Sequence, residues 1–205
     1  QSSNHLKTIE YMEYRTLGTS DLQLSAITYG AFAIGGNMWG GNEEKDSIHA
    51  VQASIEHGVT TLDTAPFYGF GLSEEMIGKA IKGYDRSKIQ LLTKFGLVWN
   101  GSNEGKGEFF FDAERDGSSV PVYKYAAKES IIKEVEASLR RLETDYIDLL
   151  QIHWPDSTTP IRETMEALDV LIRQGKIRAA GVSNYSVEQT VEAGKYLNVA
   201  SNQVG

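Results

Sequence analysis

The sequence of 205 residues contains no cysteine. This absence excludes disulfide bonds, iron–sulfur clusters and thiol nucleophiles as sources of its stability or chemistry. Positive charge is also scarce, because 20 Lys and Arg residues stand against 28 Asp and Glu residues, which gives a formal net charge of −8. The sequence has no run of basic residues that could bind successive phosphates of a nucleic acid. We therefore expect neither a nucleic-acid partner nor attraction to an anionic membrane surface.

Long apolar runs are missing as well. No uninterrupted apolar stretch approaches the ~18 residues that a membrane-spanning helix requires. The chain opens with Gln1, Ser2 and Ser3, without an initiator methionine or the apolar core of a signal peptide. We therefore predict a loose N-terminal segment over residues 1–12, no membrane partner and a cytoplasmic location.

Metal-binding patterns are not found in the sequence either. Of the four histidines, His5, His49 and His57 have no ligand-like spacing. Metal sites in proteins need several ligands gathered around one ion. The sequence therefore predicts no metal site, and the remaining histidine, His153, follows an apolar run instead.

Strand-like and helix-like segments alternate along the chain, whose length suits one domain. A β-hairpin is predicted over residues 13–24, with its turn at Gly18–Asp21. Hydrophobic periodicity then predicts strands at 26–32, 59–64, 89–94, 147–153, 177–182 and 200–204, and helices at 46–57, 73–82, 128–143, 160–174 and 186–197. Such alternation is typical of right-handed βαβ units on a parallel sheet, and both a doubly wound sheet and a barrel satisfy it.

Polar residues at the ends of the predicted strands decide between these two folds. They lie at or near the carboxyl ends of strands two to six in succession, and they are Asp63, Lys94, His153, Ser183 with Asn184, and Gln203. A barrel gathers all these ends at one mouth, where its active sites lie, whereas an open sheet spreads them along an edge. We therefore predict a single α/β domain with the fold of a TIM-type (β/α)8 barrel and an N-terminal β-hairpin.

Four side chains near these strand ends can hold or move a proton. The segment 62–69, Leu-Asp-Thr-Ala-Pro-Phe-Tyr-Gly, places a carboxylate and a phenol on a loop that leaves a strand. An ammonium group beside a phenol stabilises the phenolate, and a carboxylate keeps that ammonium charged and in place. Asp63, Lys94 and Tyr68 supply these groups, and His153 can hydrogen-bond a substrate oxygen. Each residue alone has an ordinary structural explanation, but their joint placement favours catalysis.

The segments around these residues resemble the aldo-keto reductase family. The similar stretches are EYRTLGTSDLQLS at 13–25, LDTAPFYG at 62–69, LLTKFG at 91–96, DLLQIHWPD at 148–156 and GVSN at 181–184. The resemblance implies reduction of an aldehyde or ketone, sugar-derived carbonyls included, to an alcohol. It also implies that the four proton-handling residues form the family's catalytic tetrad, in which Tyr68 is the general acid.

A nicotinamide cofactor is a further implication of the resemblance. In the family, the positions of Ser183, Asn184 and Gln203 hold the nicotinamide carboxamide, and Asp63 lies beside the cofactor. From the residues alone, Ser183 or Asn184 can equally cap the helix that follows them. The family's cofactor is NADPH, and the sequence leaves NADH as an alternative. The oligomeric state is left open.

Other functions compete with this interpretation. A regulatory or redox-sensing subunit of the same fold can retain the tetrad. A glycosidase needs two carboxylates about 5–9.5 Å apart across the mouth, and only Asp63 clearly reaches the mouth.

Two sequence motifs do not match. A dinucleotide fingerprint at 69–74 fails because Glu74 occupies its third glycine position. The segment 181–185 is not a nucleophile elbow, because it ends in Tyr185 instead of glycine.

The substrate side of the site is less determined. Trp39, in a glycine-rich loop, and Trp154 are candidate walls of a substrate pocket. The polar segment 96–124 is predicted as a long loop over the barrel mouth, although its run Phe109–Phe111 also fits a short strand on the barrel rim. Because the family's barrel has eight strands, we expect residues 1–205 to form an incomplete barrel, truncated at about strand six.

Overall fold

The structure is a computed structural model that describes residues 12–36 and 43–205. Its strands are β1 (Tyr14–Thr16), β2 (Gln23–Ser25), β3 (Thr28–Gly30), β4 (Thr61–Asp63), β5 (Gln90–Phe95), β6 (Leu97–Val98), β7 (Glu108–Arg115), β8 (Ser118–Lys124), β9 (Ile147–Ile152), β10 (Ile177–Ser183) and β11 (Val199–Gln203). Its helices are α1 (Glu44–Glu56), α2 (Leu72–Ile81), α3 (Lys128–Arg141), α4 (Ile161–Arg173) and α5 (Val187–Gly194). Trp39 and nearly all of the expected loose N-terminal segment lie outside the described residues.

Six of these strands form one parallel sheet, in the spatial order β11-β10-β9-β5-β4-β3. Each consecutive pair along the chain is joined through a helix, so the predicted βαβ pattern is confirmed. The predicted strand and helix boundaries differ from the observed ones by at most three residues. Differences of this size are usual at the ends of elements.

The parallel sheet is curled into a barrel wall. Adjacent strands lie about 4.8 Å apart, so β4 and β11, which are four positions apart in the order, would be separated by about 19 Å in a flat sheet. Instead, Gln203 Nε2 on β11 donates to Asp63 Oδ2 on β4 at 3.2 Å. The two side chains meet across the inside of the curl, which is the architecture predicted from the strand-end residues.

The inner face of the sheet changes character along its strands. Near the amino ends, the inward residues are apolar, and near the carboxyl ends they are polar; the pairs are Leu92 and Lys94 on β5, Leu149 and Gln151 on β9, and Ala179 and Ser183 on β10. Because side chains alternate between the two faces of a strand, residues two or four apart share a face. Polar groups are thereby collected at one end of the barrel.

The predicted N-terminal hairpin is confirmed and covers the apolar end. Strands β1 and β2 pair antiparallel, and Leu22, 1% exposed, packs with the inward leucines Leu92 and Leu149. The hairpin is attached to the sheet by reciprocal bonds, from Ser25 N to Thr61 Oγ1 at 2.8 Å and from Thr61 N to Ser25 Oγ at 3.1 Å. This end of the barrel is therefore closed by apolar packing, and the polar end is left for chemistry.

The outer face of the sheet is packed by the helices. Their apolar stripes supply much of the main core, including Val51, Ile77, Ile131, Val135, Met165, Leu168 and Leu171. Helix α5 begins with a capping box, because Ser186 Oγ accepts from Gln189 N at 3.2 Å and Gln189 Oε1 accepts from Ser186 N at 2.9 Å. Within the described ranges, no helix is long and apolar enough to span a membrane.

The segment 96–124, for which a long loop or a short strand at Phe109–Phe111 was expected, contains three strands. Strands β7 and β8 form a hairpin, and β6 extends it to a three-stranded antiparallel sheet. The hairpin turns at Asp116 and Gly117, which both have positive φ, 51° and 73°. An Asp-Gly pair favours this tight turn, because both central residues must adopt left-handed conformations. The segment is therefore an ordered arm.

Candidate active site

Lys94 lies at the centre of the polar end of the barrel. Its side chain is 2% exposed, and its Nζ donates to Asp63 Oδ1 and Oδ2 at 2.9 and 3.0 Å and to the Thr64 carbonyl at 2.9 Å. The neighbouring Thr93 points to the opposite face, where it donates to Glu74 at 2.6 Å. Burial of an ammonium group is costly unless it is paired and hydrogen-bonded. The ion pair with Asp63 and the hydrogen bond to the Thr64 carbonyl supply the partners that the buried Lys94 ammonium group needs.

Tyr68 follows β4 on a short 3₁₀ turn, Tyr68–Gly71, and faces Lys94. The distance from Lys94 Nζ to Tyr68 Oη is 3.3 Å, and Nζ lies 5.1 Å from the centre of the ring. The ring of Phe32 packs against Tyr68 in an edge-to-face arrangement, with centroids 5.0 Å apart. The Tyr68 phenol, the Lys94 ammonium group and the Asp63 carboxylate are thus connected by successive contacts.

The turn that carries Tyr68 is held by a close backbone contact. Gly69 has φ 63°, and a Cβ atom added there would lie 2.3 Å from the Gly35 carbonyl oxygen. The next residue, Phe70, also has a positive φ of 54°, which is a strained conformation for a bulky residue. Such strain persists only where surrounding structure enforces it, and it is common at functional sites.

His153 lies one residue beyond β9, on the other side of Tyr68. Their ring centroids are 5.8 Å apart, and the His153 backbone N–H donates to the Phe95 carbonyl at 2.9 Å. Burial, followed by the positive charge of Lys94, lowers the pKa of His153 to about 3. The imidazole is therefore neutral at physiological pH, so it can donate a hydrogen bond without carrying charge.

The candidate cofactor residues lie on the adjoining strand ends. Ser183 Oγ donates to the Gln203 carbonyl at 2.8 Å. Asn184, with φ 58°, donates from Nδ2 to the His153 carbonyl at 3.0 Å and to Ser183 Oγ at 3.1 Å. Gln203 contacts Asp63, as described for the curled sheet. The structure therefore brings all three residues to the rim that holds the proton-handling groups.

Gln151 is a residue of this site that the sequence reasoning missed. It is 1% exposed, donates from Nε2 to Gln203 Oε1 at 3.0 Å and accepts from Ser201 Oγ at 2.9 Å. It precedes His153 by two positions, so the alternation of a strand indicates that both face inward. The predicted strand 147–153 contained that signal.

Trp154, the second candidate wall of the substrate pocket, has an aromatic neighbour. The Trp154 ring lies 5.2 Å from the ring of Phe110, on the arm formed by β7 and β8.

Glu74, which had excluded a dinucleotide fingerprint, is fully buried and pairs with Arg141 at 2.6 Å. A cavity of about 480 Å³ lies at the opposite ends of the strands, beside Arg86 and Tyr146. It contains none of the proton-handling residues, so the chemistry of the side chains locates the site better than cavity size.

The described residues contain no group of three or more His, Asp or Glu side chains placed to hold a metal ion. The chemistry available at this rim consists of proton donation by a phenol, charge stabilisation by an ammonium group and hydrogen bonding by an imidazole and by neutral amides. Such groups suit a reaction in which an oxygen atom gains negative charge and then a proton.

Comparisons with known proteins identify a family that the chain resembles. The model of the aldo/keto reductase family matches residues 26–205. The chain is 46% identical over 179 residues to the aldo-keto reductase YhdN of Bacillus subtilis, covering 87% of this chain and 49% of that protein. It is 40% identical over 185 residues to the NADH-specific methylglyoxal reductase of Escherichia coli, covering 88% of this chain and 54% of that protein.

A similar solved structure is that of an aldo-keto reductase from Klebsiella pneumoniae in complex with NADPH. It superimposes with a TM-score of 0.71 at 30% identity, covering 95% of this chain and 58% of that one. The chain spans about half the length of the curated relatives that it matches. The extent of the family match, the identity to these relatives and the shared barrel together show that the chain belongs to the aldo/keto reductase family.

Proposed function

We propose that the protein reduces an aldehyde or ketone to the corresponding alcohol, with Tyr68 as the general acid and NADPH as the cofactor. The observation that carries this proposal is the position of Lys94, whose Nζ contacts both Asp63 and Tyr68. Asp63 and the Thr64 carbonyl already supply three oxygen contacts to the buried ammonium group. The further contact with a phenol is not needed to satisfy it, but a proton-donating tyrosine requires such a neighbour.

Tyr68 has the surroundings that proton donation requires. Reduction of a carbonyl group develops negative charge on its oxygen, and a positioned phenol can donate a proton to that oxygen. The phenolate that results is stabilised by the positive charge 3.3 Å from Tyr68 Oη. Asp63 supports this arrangement, because its two contacts keep Lys94 charged and fixed.

His153 serves in this proposal as a neutral hydrogen-bond donor. A pKa of about 3 keeps the imidazole uncharged over the range in which most enzymes work. Its ring lies beside the ring of Tyr68, so both side chains can approach one carbonyl oxygen. A neutral donor orients that oxygen and adds no second positive charge next to Lys94.

The polar groups on strands β10 and β11 fit the carboxamide of a nicotinamide ring. Ser183, Asn184 and Gln203 provide one hydroxyl and two side-chain amides on adjacent strand ends. Asn184 donates to the His153 carbonyl, Gln203 donates to Asp63, and Ser183 donates to the Gln203 carbonyl. These groups can both donate to and accept from an amide. Bound NADPH would supply a hydride to the carbonyl carbon. Asp63, which contacts Gln203, lies next to this position.

An assay of the full-length protein with NADPH and methylglyoxal tests the proposal. Methylglyoxal is a suitable first substrate because the relative from E. coli is named for its reduction. We expect the loss of NADPH absorbance to require the carbonyl compound and one NADPH to be consumed for each alcohol formed. A parallel assay with NADH determines which of the two cofactors the protein prefers.

A negative result would be informative in two ways. Tight NADPH binding without turnover of methylglyoxal, or of a wider panel of aldehydes, ketones and aldoses, would refute the reductase and favour the redox-sensing subunit. Failure to bind either nicotinamide cofactor would contradict both functions.

A further inference from the structure

The arm formed by β7 and β8 contains an irregularity that directs two phenylalanines inward. Phe109 pairs with Tyr123 and Phe111 pairs with Val122, so Phe110 is an extra residue on β7. A bulge of this kind changes the alternation of side chains and re-aims one of them. Phe110 and Phe111 are consequently both half-buried, whereas Phe109 is 52% exposed on the other face.

The two inward rings connect the neighbours of the candidate catalytic residues. The Phe111 ring lies 5.5 Å from that of Phe67, which precedes Tyr68 in the chain. The Phe110 ring lies 5.2 Å from that of Trp154, which follows His153. The rings of Phe110 and Phe111 also contact each other at 5.0 Å, and Trp99 contacts Phe67 at 5.8 Å. We call these five side chains the aromatic arc: Trp99, Phe67, Phe111, Phe110 and Trp154.

Polar contacts hold the arm in place at both ends. At its base, Glu108 accepts from Ser157 Oγ at 2.6 Å and from Lys124 Nζ at 2.6 Å, which ties it to the loop after β9. Near its tip, the Arg115 guanidinium lies 5.1 Å from the centre of the Phe70 ring, in the turn that carries Tyr68. The arm therefore bridges the loop of Tyr68 and the loop of His153.

The surface of the aromatic arc has a definite chemistry. All five rings are partly exposed, and two of them, Phe67 and Trp154, are the chain neighbours of Tyr68 and His153. Lys124 Nζ lies 5.1 Å from the centre of the Phe110 ring, and it is paired with Glu108 at 2.6 Å. An apolar group that covers these rings gains the free energy of removing both surfaces from water, and aromatic groups also gain edge-to-face contacts. A polyol gains less, because most of its surface is hydroxyl, and a carboxylate would lose hydration without gaining a partner.

From this arrangement, we propose that the aromatic arc binds the substituent of the carbonyl substrate and selects bulky apolar groups such as phenyl. Phe110 and Phe111 are then specificity-determining residues supplied by the arm. This inference rests on the proposed reductase function and names the substrate class for the same site.

Two related substrates test the inference. Phenylglyoxal and methylglyoxal share the same reacting dicarbonyl group and differ only in a phenyl or a methyl substituent. We expect kcat/KM of the full-length protein to be at least about tenfold higher for phenylglyoxal. Phe110→Ala and Phe111→Ala should each reduce this preference by about tenfold, with kcat/KM for methylglyoxal changed by less than about threefold. Phe109→Ala, a control on the exposed face of the same strand, should leave the preference unchanged.

The outcomes separate failure of the inference from failure of the proposed function. Turnover of methylglyoxal without a phenyl preference, or equal loss of both activities in Phe110→Ala and Phe111→Ala, would overturn the inference alone. NADPH binding without turnover of either substrate would overturn the reductase function and the inference with it. Phe111→Leu is the control for misfolding, because it keeps an apolar side chain. This variant should have a wild-type melting temperature and an intermediate preference for phenylglyoxal over methylglyoxal.

Discussion

Replacement of Lys94 by methionine removes one charge from the centre of the site and changes little else. Methionine is flexible, unbranched and uncharged, so it can occupy most of the space left by the lysine side chain. Lys94 is 2% exposed and contacts Asp63 at 2.9 and 3.0 Å. In the variant, the Asp63 carboxylate, 12% exposed, keeps the Gln203 amide at 3.2 Å but loses its cation.

The expected effect on stability follows from this unpaired carboxylate. Removing one member of a buried ion pair costs roughly 3–5 kcal/mol. We expect a value near the lower limit, about 3 kcal/mol, because Gln203 and the partial exposure of Asp63 relieve some of the penalty. Lys79→Met is a matched control, because Lys79 is 42% exposed and pairs with Glu44 on the surface. That change should leave the free energy of unfolding nearly unaltered.

The same replacement should also slow catalysis. Without the ammonium group, the phenolate of Tyr68 has no adjacent positive charge, and kcat should fall by at least about 10²-fold. Asp63→Asn combined with Lys94→Met should restore most of the stability, because no charge is then buried, but not the activity. Urea unfolding followed by circular dichroism measures the first effect, and NADPH oxidation measures the second. Wild-type kcat in a folded Lys94→Met protein would refute the reasoning.

Two other predictions concern the backbone and the imidazole. Gly69→Ala should lower both stability and kcat, because the added Cβ meets the Gly35 carbonyl at 2.3 Å and displaces Tyr68. Gly117→Ala, with φ 73° but open space around it, should cost about 1 kcal/mol and leave kcat unchanged; equal kcat in both variants would contradict the first expectation. The depressed pKa of His153, about 3, lies below its unfolded value of about 6.5. Its neutral form therefore stabilises the fold above about pH 6.5, and this contribution is lost as pH falls toward 3. Relative to His153→Gln, wild-type protein should lose up to about 1.4 kcal/mol per pH unit in that window, and parallel stability curves would show that His153 titrates normally.

Much of the fold was predictable from the sequence, because apolar runs with polar ends are a local signal. The strand ending at Lys94 and the strand before His153 both showed it, and parallel strands bring such ends together. Contact between Gln203 and Asp63 depends on the curl of the whole sheet, which no local pattern contains. Gln151 was missed because a buried amide within an apolar strand gives no signal of its own, apart from its spacing from His153.

The long loop predicted over 96–124 is wrong, whereas the alternative of a strand at Phe109–Phe111 agrees with β7. The polar composition of the segment favours a loop, whereas the Asp116–Gly117 pair favours a hairpin. The bulge at Phe110 could not be predicted, because it depends on the register between β7 and β8. That register decides which of three consecutive phenylalanines face the site. Strict alternation would have placed Phe109 and Phe111 on one face and Phe110 on the other.

Tyr68→Phe in the full-length protein tests the central claim most directly, because it removes a single hydroxyl group and keeps the ring. The account predicts that kcat falls by roughly 10²–10⁴, whereas the affinity for NADPH and the melting temperature stay close to those of the wild type. Tyr84→Phe, which removes a hydroxyl 3.5 Å from Glu56 and remote from the tetrad, should retain full activity. Retention of more than about a third of wild-type kcat in Tyr68→Phe would be incompatible with a general acid at this position.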